Sequence, residues 1–294
     1  MIGVVGSLNL DLVARVPAIP APGETVLGRA FARHHGGKGG NQAVAAARLG
    51  VPVAFVGAVG RDAFGDELAA GLAAEGVDTT GLARADEPSG CALITVADSG
   101  ENAITVLPGA NAHAPLPPAV FPPWRWLLMQ LELPLPTVLA WAQAAKAAGV
   151  PVMLNAAPMT ALPAALLAAT DVLVVNQTEL AALAGGDLQA AAAMGPRTVV
   201  ATLGARGAVA WHERRRFEQP AHDVWAVDTT GAGDTFAGAL AASLWQGRPF
   251  EQALARAAFA ASLACIKPGA RGGMPGGDEL DRAMADWRHD DDDR

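Results

Sequence analysis

Short apolar runs alternate with Ala- and Leu-rich stretches of helical length along most of the chain, and this alternation limits the possible folds more than any other feature. The runs that predict strands are residues 2–6, 53–59, 127–131, 152–155, 172–176 and 198–203. Continuous apolar strands are typical of parallel sheets buried on both faces. The stretches that predict helices are residues 41–49, 64–75, 136–148, 188–194, 233–245 and 250–266. This order predicts an α/β fold around a central, mostly parallel sheet.

The length and composition fit one domain with a large core. Of the 294 residues, 51% are hydrophobic and 17% are charged, so residues 1–294 are predicted to form a single α/β domain without long disordered segments. The exception is the C-terminus, where four consecutive aspartates occupy positions 290–293. Like charges in such a run do not pack together, so residues 288–294 are predicted to form a disordered acidic tail.

Two stretches depart from the alternation of strands and helices. Residues 12–31 carry prolines at positions 17, 20 and 22, and residues 91–106 look like two strands around a turn at 98–101. Together they predict a small antiparallel sheet, which we expect to cover a pocket as a lid. A hairpin that extends the main sheet at its edge is the alternative.

Several classes of protein are disfavoured by charge and composition. A net charge of −8 without a basic stripe argues against binding to nucleic acid. Cys91 and Cys265 form no CxxC pair, so neither a disulfide framework nor a zinc site is expected. No apolar run reaches the roughly 18 residues that span a bilayer, and residues 1–6 look like a strand rather than a signal peptide. A cytoplasmic protein without membrane partners is therefore the expectation.

Residues 228–236 place a glycine-rich turn between a strand end and a long apolar-periodic helix. Gly231 and Gly233 allow the backbone to approach a ligand closely, and the first amides of the helix favour an anion such as phosphate. Asp234 is poorly suited to neutralise phosphate there but well suited to accept a proton beside it. A general base is the functional hypothesis for Asp234, and a helix N-cap is the alternative.

A second glycine cluster precedes the first predicted helix. Residues 36–40 contain four glycines around Lys38, followed by Asn41. The spacing is neither the GxxxxGK[ST] of a phosphate-binding P-loop nor a dinucleotide GxGxxG. Backbone amides and the Asn41 side chain suit a small polyhydroxylated ligand, whereas a flexible surface loop is the alternative.

Residues 36–43 and 228–236 resemble the two signature regions of the ribokinase-like, or PfkB, carbohydrate kinases. Collinear matches to the same family lie at residues 6–11, 22–25, 107–111, 129–132, 176–179 and 202–207. The resemblance covers nearly the whole chain. It implies a ribokinase-like three-layer α/β sandwich with a central mostly parallel sheet, a small β-sheet lid, and a homodimer formed through the lids.

The resemblance also implies an activity. The chain would be an ATP-dependent sugar kinase that phosphorylates D-ribose to D-ribose 5-phosphate, with Asp234 as the general base. Backbone amides of the turn would stabilise the transferring phosphoryl group. The residues implied for that anion hole are Gly231, Ala232 and Gly233.

Sugar and nucleotide ligands are assigned by position within the family motifs. The residues implied for sugar binding are Asn9, Asp11, Gly37, Lys38, Gly39, Gly40, Asn41, Glu132 and Asp234. The residues implied for ATP binding are Asn176, Thr202, Leu203, Gly204, Ala205, Arg206, Gly207, Gly233 and Asp234.

Two kinds of metal ion are implied as well. Glu179 would hold Mg²⁺ through water, with Asn176 beside it. The same pair also predicts a helix N-cap in which Glu179 is the reciprocal capping acid. The two roles can coexist. K⁺ activation is implied, mainly through carbonyl oxygens. The residues implied for that monovalent cation are Asp228, Thr230, Ala264, Lys267, Gly269 and Gly273. Gly273 stands where many family members have serine, and Gly40 stands where alanine is more common.

Other functions remain open at this stage. A related kinase could act on a nucleoside, on deoxyribose, or on fructose or a sugar phosphate, although Glu132 would repel a phosphorylated acceptor. A non-catalytic sugar sensor would keep the pocket without phosphoryl transfer. A dehydrogenase is disfavoured because Ser7, Leu8 and Asn9 follow the first strand where a dinucleotide glycine loop would stand.

Overall fold

A computed structural model describes the secondary structure of residues 1–292 and the side-chain surroundings of residues 1–286. The strands are β1 (Ile2–Val5), β2 (Asn9–Val16), β3 (Ala30–Gly36), β4 (Val53–Gly60), β5 (Asp78–Ala85), β6 (Cys91–Ala97), β7 (Asn102–Leu107), β8 (Trp126–Met129), β9 (Val152–Asn155), β10 (Val172–Asn176), β11 (Thr198–Thr202), β12 (Ala208–His212) and β13 (Arg215–Gln219). The helices are α1 (Lys38–Arg48), α2 (Ala63–Ala74), α3 (Leu135–Ala147), α4 (Ala164–Ala169), α5 (Gln177–Ala184), α6 (Leu188–Ala193), α7 (Ala232–Trp245), α8 (Phe250–Ala264) and α9 (Gly277–Asp292). All of the predicted strands and helices are present.

The main sheet has nine strands in the order β13-β12-β11-β10-β9-β8-β1-β4-β5. Every neighbouring pair from β11 to β5 is parallel, whereas β12 and β13 add an antiparallel hairpin at one edge. The carboxyl ends of parallel strands meet at one edge of the sheet, where loops can combine into a site. The mostly parallel central sheet is therefore confirmed.

Two apolar cores lie on the two faces of this sheet. One contains side chains of α1, α2, α7 and α8 and includes Phe55 and Leu240. The other contains side chains of α3, α4, α5 and α6 and includes Trp141 and Leu154. Helices on both faces of a sheet make three layers. The predicted three-layer α/β sandwich is confirmed.

A second, separate sheet has the strand order β3-β2-β6-β7. The small sheet is therefore present, and the alternative of a hairpin extending the main sheet is wrong. Its predicted bounds were too short, because β3 continues to Gly36. The expectation of a purely antiparallel sheet is also wrong, since β2 and β6 pair in parallel. Both strands follow parallel strands of the main sheet, β1 and β5, through short connections, so they enter the small sheet in the same direction.

Some elements carry too weak a pattern to be predicted. Strand β5 has the sequence DTTGLARA, which contains no apolar run, and it is half-buried at the edge of the sheet. Helices α4 and α5 have only 6 and 8 residues, too few to show helical periodicity, whereas the equally short α6 is predicted with the help of its Ala-rich composition.

The last helix, α9, has a helical backbone through Asp292. The side chains of residues 287–294 and the backbone of residues 293–294 lie outside the described part, so the acidic tail at residues 288–294 stays a prediction. The buried Leu280 anchors this helix, and each further residue adds a backbone hydrogen bond once a helix has started. Among the described residues, no helix combines the length and apolarity needed to cross a membrane.

Candidate active site

Asp234 lies in the first turn of α7, and only 6% of its surface is exposed. The helix is preceded by Gly231, whose φ of 78° lies in the left-handed region. A Cβ at Gly231 would lie 2.5 Å from the carbonyl oxygen of Ala270, whereas a Cβ at Gly233 would meet no atom within 4 Å. The backbone at Gly233 in the first turn of α7 thus faces open space, an arrangement suited to an anion, whereas the Ala232 nitrogen donates to the Thr229 oxygen at 3.2 Å.

Two amide side chains from α1 hold the Asp234 carboxylate. Asn41 Nδ2 donates to Asp234 Oδ2 at 3.0 Å, and Gln42 Nε2 donates to Oδ1 at 3.0 Å. The cap of α7 is Gly231 and makes no side-chain hydrogen bond, so the alternative of Asp234 as an N-cap is wrong. A carboxylate has about four acceptor positions, so the two donors leave capacity for a further hydroxyl. This geometry suits a general base.

The oxygens of these two amides are also hydrogen-bonded. Arg271 Nε donates to Asn41 Oδ1 at 2.9 Å, and Gln130 Nε2 donates to Gln42 Oε1 at 2.7 Å. An amide whose oxygen accepts from a fixed donor must turn its NH₂ group the other way. Both NH₂ groups are therefore directed at Asp234 by groups that do not themselves contact it.

The glycine loop before α1 is tightly packed. Gly37 has a φ of 82°, and a Cβ there would lie 2.7 Å from the backbone nitrogen of Asn9. A Cβ at Gly39 would lie 2.5 Å from the backbone nitrogen of Ser7. The alternative of a flexible surface loop is therefore wrong. The glycines let α1 start directly against the connection between β1 and β2.

Two carboxylates adjoin this loop. Glu132 Oε2 accepts from Ser7 Oγ at 2.5 Å and from the backbone nitrogen of Lys38 at 2.9 Å. On β2, burial together with the charges of Glu132 and Asp234 raises the pKa of Asp11 to about 6, although the charge of Arg271 opposes the shift. Such a carboxyl gains from hydroxyl groups that would replace its lost water.

Asn9 and Lys38 complete the predicted acceptor side. Asn9 is buried, and its Oδ1 accepts from Asn111 Nδ2 at 2.8 Å. The charge of Asp234 is the main cause of a raised pKa at Lys38, Glu132 adds to it, and burial opposes it. Lys38 is thus held as a cation between the carboxylates of the site, where it would balance their charge near a phosphate.

Asn176 and Glu179 form a reciprocal capping box at the start of α5. Glu179 N donates to Asn176 Oδ1 at 2.8 Å, and Asn176 N donates to Glu179 Oε2 at 2.7 Å. Burial raises the pKa of Glu179, while the backbone hydrogen bond from Asn176 and the charge of Lys38 oppose that shift. The predicted cap is confirmed. Among residues 1–286, no group of three or more His, Cys, Asp or Glu side chains could hold a metal ion by itself.

A cavity of about 420 Å³ lies beside the glycine turn of α7. It joins that turn to the segment after β11 and to α8. Its lining residues are Thr202, Gly204, Ala205, Gly207, Ala221, His222, Asp223, Val224, Ala226, Thr229, Ala232, Gly233, Phe236, Ala258, Ala261, Ser262 and Cys265. Leu203 and Arg206 are not among them, and Arg206 Nη2 instead donates to Gln177 Oε1 at 2.6 Å. Mostly small and apolar walls suit a flat aromatic ring.

The residues expected to hold a monovalent cation lie around Asp228. Its carboxylate accepts from the backbone nitrogens of Thr230 at 2.9 Å and Gly269 at 2.8 Å. Burial by itself would raise the pKa of Asp228, but these hydrogen bonds outweigh it and lower the pKa. A Cβ at Gly273 would lie 2.2 Å from the carbonyl oxygen of Ala264, so glycine fits where many family members have serine. Lys267 follows the end of α8.

Comparison with known families agrees with this geometry. The description "pfkB family carbohydrate kinase" belongs to a family model that matches residues 1–276. The chain belongs to the PfkB family of carbohydrate kinases. It is 40% identical to the ribokinase of Haemophilus influenzae over 288 residues, covering 92% of this chain and 94% of that protein. It is 37% identical to the ribokinase of Bacillus subtilis, covering 96% and 98% of the two chains.

A solved PfkB-type structure has the same fold. The structure of Arabidopsis thaliana ribokinase complexed with ribose and ATP superimposes with a TM-score of 0.88 at 33% identity. The match covers 96% of this chain and 98% of the plant protein. The fold predicted from the family resemblance is therefore confirmed over nearly its whole length.

Sequence reasoning missed several residues around Asp234 in this PfkB kinase. Gln42 follows the predicted Asn41 directly, yet an isolated glutamine carries no chemical signal in a sequence. Arg271 lies 230 residues from Asn41 along the chain, and Gln130 lies 88 residues from Gln42. Position in the family motif could have drawn attention to Gln42, whereas only the folded chain brings Arg271 to the site.

Proposed function

We propose that this PfkB kinase transfers the γ-phosphoryl group of ATP to the 5-hydroxyl of D-ribose, giving D-ribose 5-phosphate. The observation that carries the proposal is the position of Asp234. Its buried carboxylate lies between a polar, carboxylate-rich side and a separate apolar cavity, in the first turn of a helix whose Gly233 faces open space. A sugar on the first side and a nucleotide on the second would meet at this carboxylate.

Asp234 acts as the general base in this proposal. The acceptor hydroxyl gives its proton to the carboxylate, and the hydroxyl oxygen forms a bond to the γ-phosphorus. The bond between that phosphorus and the bridging oxygen breaks, and ADP leaves with the electron pair. Asn41 and Gln42 keep the carboxylate in place during this step. Positioning of the hydroxyl and stabilisation of charge supply most of the acceleration.

The turn before α7 forms the anion hole. Backbone amides of residues 231–233 bind the transferring phosphoryl oxygens, and the helix dipole favours their negative charge. Gly233 leaves that surface open because no side chain covers it. The cavity accommodates the adenine and ribose of ATP, with the segment from Thr202 to Gly207 along one wall.

Two cations support the reaction in our proposal. Mg²⁺ would be held by the ATP phosphates and by water molecules that Asn176 and Glu179 order, and it would neutralise charge on the phosphates. This donor set fits, because Mg²⁺ in phosphoryl-transfer sites keeps several waters. A monovalent cation such as K⁺ would be held by backbone carbonyls near Asp228, from the loop before α7 and from the segment that follows α8. The packing of Gly273 against the Ala264 oxygen supports a close approach of backbone in that segment.

The acceptor side selects a neutral polyhydroxylated sugar. Asp11 and Glu132 accept hydrogen bonds from hydroxyl groups, as do the amide oxygens nearby. The same carboxylates repel a phosphorylated acceptor. The assigned sugar contacts are Asn9, Asp11, Gly37, Lys38, Gly39, Gly40, Asn41 and Glu132.

We also propose that two chains associate through the small sheet, in the cytoplasm. Large apolar side chains are exposed on this sheet, with Phe31 66%, Ile104 56% and Val106 49% exposed. An apolar surface of this kind favours association. Light scattering after size-exclusion chromatography should give the mass of a dimer for the wild type and of a monomer for Ile104→Lys. A monomeric wild type would contradict this part of the proposal.

The function is tested by ADP release from MgATP with a panel of acceptors. The panel contains D-ribose, 2-deoxyribose, D-fructose, fructose phosphates and common nucleosides, each with and without K⁺. We expect D-ribose to give the highest kcat/KM. Activity confined to another acceptor would keep the kinase and overturn the substrate, and silence with every acceptor would favour a sugar sensor.

A further inference from the structure

Arg271 packs directly against the glycine loop of the acceptor side. A Cβ at Gly40 would lie 2.5 Å from Arg271 Nη2 and 2.5 Å from Leu8 Cδ2. Real Cβ atoms do not approach other heavy atoms this closely, so any larger residue at position 40 must displace a neighbour. The guanidinium group of Arg271 therefore occupies part of the space that a side chain at position 40 would need.

The guanidinium is fixed by its own contacts. Arg271 Nε donates to Asn41 Oδ1 at 2.9 Å, and Arg271 Nη2 donates to the carbonyl oxygen of Gly36 at 3.3 Å. From the other side, Arg48 Nη1 donates to the backbone oxygen of Arg271 at 2.7 Å. Arg48 is itself held by Glu75, with Nε–Oε2 at 2.9 Å and Nη2–Oε1 at 2.5 Å. Arg271 is thus a rigid part of the site.

We propose that Arg271 is a positioning residue that keeps the Asn41 amide turned toward Asp234, and that Gly40 is required because it makes room for Arg271. This inference rests on the proposed role of Asp234 as the base. Without a donor at its oxygen, the Asn41 amide can turn over and present Oδ1 to the carboxylate. The carboxylate would then lose one of its two donors and face a repulsive oxygen.

The second pair of residues that holds Asp234, Gln42 with Gln130, provides an internal comparison. Gln130 fixes Gln42 in the same way with a neutral amide, and the atoms nearest to a Cβ at Gly40 belong to Arg271 and Leu8 rather than to Gln130. Arg271 also contributes positive charge close to Asp11 and Asp234, and burial lowers its own pKa to about 10, so it remains a cation at neutral pH. At Arg271, unlike at Gln130, substitutions can therefore change the size of the side chain while keeping its hydrogen-bond donor in the same position.

The position of the donor gives a precise test, because glutamine Nε2 and arginine Nε are separated from Cα by the same number of bonds. Arg271→Gln keeps a donor for Asn41 and removes the Nη atoms that contact position 40. Arg271→Met has similar length and no donor. We expect Arg271→Met to lower kcat with ribose about tenfold, the size of one lost hydrogen bond, while Arg271→Gln stays within about threefold of wild type.

The second half of the test combines these changes with Gly40→Ala. In the wild-type background, Gly40→Ala pushes the guanidinium away from Asn41, and we expect kcat to fall about tenfold. In the Arg271→Gln background the same change should cost less than about twofold, because the clashing Nη2 is gone. KM for ATP should stay within about twofold in all these variants, since the nucleotide cavity is not touched.

Controls separate positioning from folding. Each variant is compared by Tm and circular dichroism, and Arg216→Gln on the exposed strand β13 serves as a matched arginine change that should leave kcat unchanged. Equal kcat for Arg271→Met and Arg271→Gln would overturn the positioning role. If Gly40→Ala lowers kcat as much in the Arg271→Gln background as in the wild type, the added methyl group clashes with Leu8 rather than with Arg271. That result would overturn the proposal that Gly40 makes room for Arg271. If Asp234→Asn itself leaves kcat intact, the proposed function fails, which is a distinct result.

Discussion

The two sides of Asp234 differ in the residues that form them. The acceptor side consists of polar side chains such as the buried Asn41 and Gln42 and the half-buried Glu132, each held by at least one hydrogen bond. The nucleotide side is a cavity with walls of small residues and backbone, including Ala205, Gly233 and others. Single side chains therefore set the chemistry on the acceptor side, whereas shape sets binding on the nucleotide side.

The largest effect is expected where the two sides meet. Asp234→Asn removes the proton acceptor but keeps the shape, so kcat with ribose should fall about 10²–10⁴-fold while both KM values change little. Steady-state ADP release measures this. Asp187→Asn, which preserves the cap of α6, is the matched carboxylate control and should behave like wild type. A kcat within threefold of wild type for Asp234→Asn would refute the assignment of the base.

The two glycines of the anion turn should respond differently to the same added methyl group. Gly231→Ala meets the Ala270 oxygen and forces a left-handed alanine, so we expect the free energy of unfolding to drop by about 1–3 kcal/mol. Gly233→Ala meets nothing in the fold, so Tm should hardly change. It would instead cover the amides, and kcat/KM for ATP should fall about tenfold, roughly one lost hydrogen bond.

Thermal unfolding and ATP kinetics on the same preparations separate the two glycine variants. An unchanged kcat/KM for ATP in Gly233→Ala would show that the phosphoryl group binds elsewhere. An unchanged Tm in Gly231→Ala would mean that the turn can relax away from Ala270.

The acceptor side should show a pH dependence that the nucleotide side lacks. Because the pKa of Asp11 is raised to about 6, its carboxylate becomes protonated as pH falls through that value and accepts fewer hydroxyl hydrogen bonds. KM for ribose should therefore rise below pH 6, by up to about tenfold per pH unit, while KM for ATP stays flat. Asp11→Asn should remove this inflection in KM for ribose. A pH-independent KM for ribose in the wild type between pH 5 and 7, values chosen about one unit either side of the pKa, would contradict the assigned contact.

The same pKa shift has a consequence for the stability of the ligand-free protein. The folded pKa of Asp11 lies above its usual value of 3.8, so the folded chain binds more protons than the unfolded chain between these values. The contribution of Asp11 to stability is full below pH 3.8 and is lost as pH rises through about 6. Asp11→Asn should flatten this part of the stability profile, as measured by urea unfolding.

The smallest effect is expected at the rim of the nucleotide side. Arg206 points away from the cavity toward Gln177, although its motif position implies a role in ATP binding. Arg206→Ala should change KM for ATP by less than about twofold, in the range of an ordinary surface substitution. A tenfold increase would mean that the segment after β11 closes over the nucleotide.

The features that the sequence predicts are those with a local sequence pattern. The glycine turns and Asp234 are local signals, because glycine-rich turns before helices can be read directly from the sequence, although only the folded chain excludes the N-cap and flexible-loop alternatives. The buried strands of the main sheet show as apolar runs for a similar reason. Arg271, Gln42 and Gln130 carry no local signal, since their roles arise only when distant segments meet.

The pairing of strands in the small sheet could likewise not be predicted from local patterns. Its segments were recognisable, but the parallel pairing of β2 with β6 depends on where β1 and β5 end in the main sheet. Strand β5 itself lacks an apolar run because it lies at an edge. Pairing partners and edge strands are properties of the assembled sheet, so single-segment patterns do not determine them.

The central claim, transfer of a phosphoryl group to ribose, is tested most directly by following the product with ³¹P NMR. The protein is incubated with MgATP, K⁺ and D-ribose, and the reaction is compared with one that lacks ribose. We predict a phosphomonoester at the 5-position of ribose that forms in equal amount to ADP and only when ribose is present. ATP converted to ADP and inorganic phosphate alone, or no reaction by folded protein that binds both ligands, would contradict the account.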